Sequence, residues 1–121
     1  MTTRQPMNVA RLAGALVLAL LLATVAAAAE LTRVESRHVC MVNNTAFPRD
    51  QIPVEVEGRT YYGCCEMCKG RLASDPAVRS AKDPVSGATV DKASAVIASG
   101  PDGKVLYFEN EASLARYESG R

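Results

Sequence analysis

The sequence predicts an α+β protein: two small ββα units packed as one compact domain behind a cleaved signal peptide. Three observations carry this expectation. An almost unbroken apolar run, Leu12 to Ala23, lies near the N-terminus. A pattern of β-rich segment, glycine turn, strand and helix occurs twice, once around Gly58 and once around Gly103. Three of the four cysteines fall in Cys64-Cys65-Glu66-Met67-Cys68, where the first pattern passes from strand to helix.

Taken in order, Arg4 and Arg11 form a basic n-region, and Ala27-Ala28-Ala29 offers the small residues that a signal peptidase needs before Glu30. The expectation is export to a periplasm or the exterior with residues 1–29 removed, leaving no membrane attachment. Retention as a single-span anchor stays open, since Leu12 to Ala29 is just long enough to cross a bilayer. Glu30 to Arg37 is polar and reads as a flexible lead-in to the apolar run Val39 to Val42. Asn43-Asn44 marks a turn and Phe47-Pro48-Arg49-Asp50 a loop.

Pro53-Val54-Glu55-Val56-Glu57 alternates as a half-buried strand does, and Gly58-Arg59 reads as a hairpin turn. Thr60 to Cys64 is then the return strand, with a helix from about Cys65 to Ala73 that ends ahead of Asp75-Pro76. A second short helix, capped by Asp75, reaches Ala81. The second unit offers Ala93 to Ala98, a Gly100-Pro101-Asp102-Gly103 turn, a strand over Lys104 to Phe108, and a helix capped by Asn110 and reaching Glu118. The expected boundaries are 1–29, 30–80 and 81–121. Aligned on their glycines, with a shift of one residue across the long gap, the units place Ser86, Glu109 and Ser113 where the first has Cys40, Cys64 and Cys68. The economical reading is an internal repeat whose second copy has lost its thiols and supplies buried surface. Chance likeness of two hairpin–helix stretches is the alternative.

Composition narrows the function. Without Arg4 and Arg11 the 14 basic residues become 12 against 13 acidic ones, a net charge of −1. No segment carries a basic stripe, which argues against a nucleic-acid partner. Neither a hydrolase constellation nor a phosphate loop is present, and the protein reads as no enzyme. A chain this short buries a limited core and often relies on a metal or on disulfides.

The cysteine spacing points to a metal site. Cys64 and Cys68 lie i, i+4 and Cys65 and Cys68 i, i+3, on one face if all belong to the helix, with Cys40 arriving from another element. A helix N-terminus favours the thiolate, the form that binds metal. Three or four thiolates suit one soft ion, copper(I) or zinc. Zinc prefers four ligands, and Cys65 is then the fourth, although neighbouring helical residues point about 100° apart. Copper(I) tolerates fewer, softer ligands, and Met41, Met67 and His38 stand close to the cysteines in sequence; copper(I) is the expected physiological ion, with zinc filling the site in vitro.

At these residues the chain resembles the TRASH and YHS families of small cysteine-containing metal-binding domains. The first likeness rests on Cys40, the long gap, Gly58-x-x-Tyr61-Tyr62-x-Cys64-x-x-x-Cys68-Lys69 and Arg71-Leu72. The second rests on Asp83-Pro84-Val85-Ser86-Gly87, with serine where a cysteine would be, and Leu106-Tyr107-Phe108. The resemblance implies a treble-clef-like ββα fold that binds or senses heavy metals through Cys40, Cys64 and Cys68. Cys65 departs from the pattern. The implied work is periplasmic metal handling, as chaperone, buffer or detoxification factor, with a metal-transport or metal-accepting protein as partner; the oligomeric state is open.

Other readings remain for these residues. Cys40 could form a disulfide with Cys64, Cys65 or Cys68 in an oxidising compartment. Cys65-Glu66-Met67-Cys68 could act as a redox pair, without the βαβ surroundings such a motif normally has. A closed zinc cage would make the unit a structural interaction module. His38 reads as hydrogen-bonded or exposed, Met41 and Met67 as packing residues, and Lys69 and Arg71 as solvated. One of Tyr61 and Tyr62 is expected inside and the other outside. Glu109 and Ser113 read as a solvated helix start rather than a hard oxygen site.

Overall fold

The computed structural model describes residues 30–120, and the expected signal peptide, residues 1–29, lies outside them. It is a mixed α+β structure with several small antiparallel sheets and two α-helices. In chain order the first strands are β1 (Thr32–Arg33), β2 (Val39–Cys40), β3 (Thr45–Ala46), β4 (Ile52–Val56) and β5 (Arg59–Gly63). Helix α1 (Glu66–Ser74) follows, then β6 (Ser80–Lys82), β7 (Thr89–Asp91), β8 (Val96–Ser99), β9 (Val105–Phe108) and helix α2 (Glu111–Ser119). No helix among the described residues is long and apolar enough to cross a membrane.

The lead-in expected to be flexible is ordered. β1 adds to the edge of β8, pairing Thr32 with Ser99 and Arg33 with Ala98. Leu31 packs against the small cluster of Ala98, Phe108 and Leu114, so one apolar side chain anchors a stretch whose composition reads as linker. An ion pair between Arg33 and Glu111 adds a surface tie.

β4 and β5 form the expected hairpin one residue out of place. Val56 pairs with Arg59, so the turn is Glu57-Gly58. Both residues have positive φ, 52° and 77°, the combination that matches the twist of the flanking strands in a two-residue turn. Gly58 adopts it freely; Glu57 is carried into it by the pairing on either side. α1 stops at Ser74 as expected. The helix foreseen beyond it is a 3-10 turn, Pro76–Arg79, with the Asp75 carboxylate accepting from the Ala77 N–H at 3.0 Å. It ends early because Ser80 enters β6, whose pairing with β7 had no alternating signal in Ser80-Ala81-Lys82. Tertiary pairing overrides weak local preference there. β8 and β9 pair from Val96↔Phe108 to Ser99↔Val105 around Gly103, at φ 79°. The Asn110 side chain then caps α2 by accepting from the Ser113 N–H at 2.9 Å.

The small hairpin of β2 and β3 is wedged between the two larger ones. Met41 donates its N–H to the Tyr62 carbonyl on β5 at 2.9 Å, and Val105 on β9 donates to the Asn44 carbonyl at 3.0 Å. Beneath it, one apolar cluster draws Val39, Val54, Tyr61 and Leu72 together with Ile97, Val105 and Tyr107. The two halves of the chain therefore share their core, which suits a chain too short for two.

Candidate metal centre

Three backbone features bring Cys40, Cys64 and Cys68 to one point. Cys40 ends β2 and is fully buried. The Met41–Tyr62 backbone bond lays that end of β2 against the end of β5, directly before Cys64. Gly63, between Tyr62 and Cys64, allows the close approach of α1: a Cβ there would stand 3.0 Å from the Cys68 Cβ and 3.1 Å from the Lys69 nitrogen. Such contacts are tighter than nearly all real Cβ contacts, so any side chain at this position would push the start of α1 outward by a few tenths of an ångström, and glycine lets Cys68 come this close.

The three sulfurs all lie within 4.8 Å of one another, with Cys64 and Cys68 at 3.7 Å. A metal–thiolate bond of about 2.3 Å places the sulfurs of a three-coordinate ion about 4 Å apart. A disulfide needs about 2.05 Å, and all four cysteines are free thiols. The spacing fits one soft ion held by three sulfurs.

The route to this arrangement differs from the expected shared helix face. Cys64 precedes α1, Cys65 is its cap residue and only Cys68 lies within it. Cys65 is extended, at φ −156° and ψ 171°, and successive side chains of an extended backbone point to opposite sides. With Cys64 turned inward, Cys65 is exposed and stands outside the group of three.

The thiols respond to their surroundings in different directions. Burial pushes Cys40 up, but the N–H groups of Asn43, Val42 and Cys64 bring it below the ordinary thiol value. Cys64 is raised, chiefly by its neighbour Cys40. Burial first, then the other three cysteines, pushes Cys68 up to about 12. Cys65 is lowered, mainly by the Cys68 N–H, although its side chain makes no capping hydrogen bond. The Asn43 amide lies 3.9 Å from the Cys64 sulfur, a further donor aimed at the cluster.

Behind the Cys40 loop lies a group the sequence did not disclose. Lys92, 4% exposed, donates to the Met41 carbonyl at 2.7 Å and to the Asn44 side-chain oxygen at 2.8 Å. The Tyr107 hydroxyl donates to the same oxygen at 3.0 Å, and the ammonium lies 5.0 Å from the centre of the Tyr107 ring. Burial lowers the Lys92 ammonium to about 8, opposed by the negative charge of Cys40. Asn44 itself sits at φ 55°, a conformation asparagine tolerates better than most residues.

The remaining candidates fall away from the site. His38 pairs with Asp50 at 3.1 Å. Met41 is buried in the core, whereas Met67 is 77% exposed. Tyr61 is buried with its hydroxyl on Asp91, and Tyr62 is half-buried. Lys69 and Arg71 are exposed, near Glu66 and Asp75.

At the start of α2 Glu109 is exposed, as a solvated helix start requires, but the expectation is corrected for Ser113. Ser113 is buried and donates to Asp83 at 2.6 Å. Asp83, 1% exposed, also accepts from the N–H groups of Val85, Ser86 and Glu109 at 2.7, 3.1 and 2.9 Å. Against the cost of burial, these donors lower its carboxyl to about 2. The available signal was Asp83-Pro84 followed by Ser86-Gly87, the residue types of a turn in which an aspartate caps the backbone ahead of it. Ser86 donates to Glu109 at 3.3 Å, so two of the three positions aligned with the cysteines touch each other.

Comparison of the chain with protein-family models, curated proteins and solved structures returns no match.

Proposed function

We propose that the protein is an exported, non-enzymatic carrier of one soft metal ion, copper(I) in preference to zinc, working in periplasmic metal handling. The observation that carries this reading is the convergence of the Cys40, Cys64 and Cys68 sulfurs within 4.8 Å. Three thiolates are a donor set for soft ions. Cys64 and Cys68 are only half-buried while Cys40 is sealed, which supports exchange with an incoming ligand from one side more than permanent enclosure. In such a transfer Cys40 holds its place and Cys64 or Cys68 yields to a thiolate of the accepting protein. Cys65 and Met67, neighbours in sequence of Cys64 and Cys68, are exposed soft side chains. The likeness to TRASH and YHS domains supports the same function, and the signal-like segment supports the compartment.

Native mass spectrometry of anaerobically prepared protein should show one copper(I) or one zinc bound. Cys68→Ser should lower copper(I) affinity by at least about a hundredfold, while Cys65→Ser changes it by less than about threefold, since only one of these substitutions removes a member of the trio. A protein that stays metal-free in both ions refutes the carrier reading. Equal losses from the two substitutions would replace the three-sulfur site with a four-sulfur cage.

A further inference from the structure

Among the described residues Lys92 has no carboxylate to answer its charge. Its side chain is nearly sealed from solvent. Its partners are neutral: the Met41 carbonyl, the Asn44 amide oxygen and the Tyr107 ring. Burying a lone ammonium is costly, and such a group is normally paired. Met41 follows Cys40 in the chain and Asn44 closes the turn after it, so the ammonium lies behind the loop that carries the first sulfur.

We propose that Lys92 is the charge-compensating residue of the three-sulfur site and biases it toward a monovalent ion. The inference rests on the metal-binding reading above and concerns selectivity within it. On loading, each of the three thiols releases its proton to solvent and bonds the ion through sulfur. A divalent ion leaves one net negative charge on the trio and a monovalent ion leaves two. The attraction to a fixed ammonium doubles between the two cases. At an effective dielectric near ~20, one such charge pair on the order of 10 Å apart changes affinity about tenfold, and two charges about a hundredfold. Lysine at this position therefore offsets the charge that otherwise disfavours three thiolates around copper(I).

The test is the ratio of two affinities, measured anaerobically by competition of the protein with bicinchoninate for copper(I) and with a chromophoric chelator for zinc. Lys92→Gln keeps a donor for the Met41 carbonyl and removes the charge. It should weaken copper(I) about a hundredfold and zinc about tenfold. Lys92→Arg should restore the wild-type ratio. Tyr107→Phe removes the other donor to the Asn44 side-chain oxygen, a hydroxyl, without altering charge, and should leave the ratio unchanged. If Lys92→Gln does not fold, Lys92→Met, which buries no charge, gives the same readout. Equal weakening of both ions in the neutral variants, with wild-type binding intact, overturns the proposal and leaves a loop brace, while the carrier reading stands. A wild-type protein that takes up neither ion overturns both.

Discussion

At the start of α1 three sulfurs meet, drawn from β2, from the end of β5 and from the first helical turn. At the start of α2 the same kinds of element meet around a carboxylate: Asp83 holds the turn at Val85 and Ser86, the Glu109 N–H after β9, and Ser113 in the first turn. The helix caps are superposable in conformation, Cys65 at φ −156° and ψ 171° and Asn110 at φ −162° and ψ 174°. The difference lies in what closes each junction. Asp83 is an anion met by four donors, complete within the chain. The three cysteines are instead a set of soft donor atoms placed close enough together to hold one metal ion. The two junctions of strand, helix start and incoming segment thus differ in their central chemistry, a carboxylate already met by donors at one and three grouped thiols at the other.

The sharpest way to break the comparison is Asp83→Ala, which leaves three backbone N–H groups and the Ser113 hydroxyl without their acceptor. It should cost on the order of 3–5 kcal/mol in urea denaturation of metal-free protein. Because the folded carboxyl is lowered to about 2, its contribution is fully present above the ordinary aspartate value of about 4 and disappears as pH falls through about 2. Stability measured across that window should fall less steeply in Asp83→Asn than in wild type. Parallel curves would show that the carboxylate's charge is not what ties this junction.

Gly63→Ala comes next and addresses the other junction. Its methyl group would meet Cys68 and the Lys69 backbone, so α1 must shift away from β5. The expected costs are about 1–3 kcal/mol in stability and about tenfold or more in metal affinity. Unaltered affinity would mean that the three sulfurs close on the ion wherever the helix sits. The smallest effect belongs to Ser86→Ala, which removes hydrogen bonds to Glu109 and from the Ala88 N–H at an exposed turn. It should cost less than about 1 kcal/mol and leave metal stoichiometry at one. A change in stoichiometry by native mass spectrometry would show that the second junction also holds an ion.

What could be read from residue order was local. The alternation of Val54 and Val56, the glycine turns and the Asn110 cap each act within a few positions, and β4, β5, α1, β9 and α2 begin and end within one residue of expectation, whereas β8 starts at Val96 rather than Ala93 and the helix after Asp75-Pro76 is a 3-10 turn that ends at Arg79. The β6–β7 hairpin and β1 were not legible, since Ser80-Ala81-Lys82 and Thr32-Arg33 become strands only through partners distant in sequence. At the site, the three converging cysteines were legible from spacing and resemblance. The exclusion of Cys65 was not, because it follows from an extended cap residue rather than from helical geometry.

By itself the sequence determined which atoms can meet a soft ion and which short segments become strands and helices, because donor chemistry and backbone preference belong to single residues and their neighbours. Tertiary structure alone decided that Cys40 reaches Cys64 through the Met41–Tyr62 bond, that Gly63 admits Cys68, and that Lys92 and Asp83 are buried. Burial and convergence are properties of packing between distant segments, and no local pattern around Lys92 distinguishes a sealed ammonium from a solvated one.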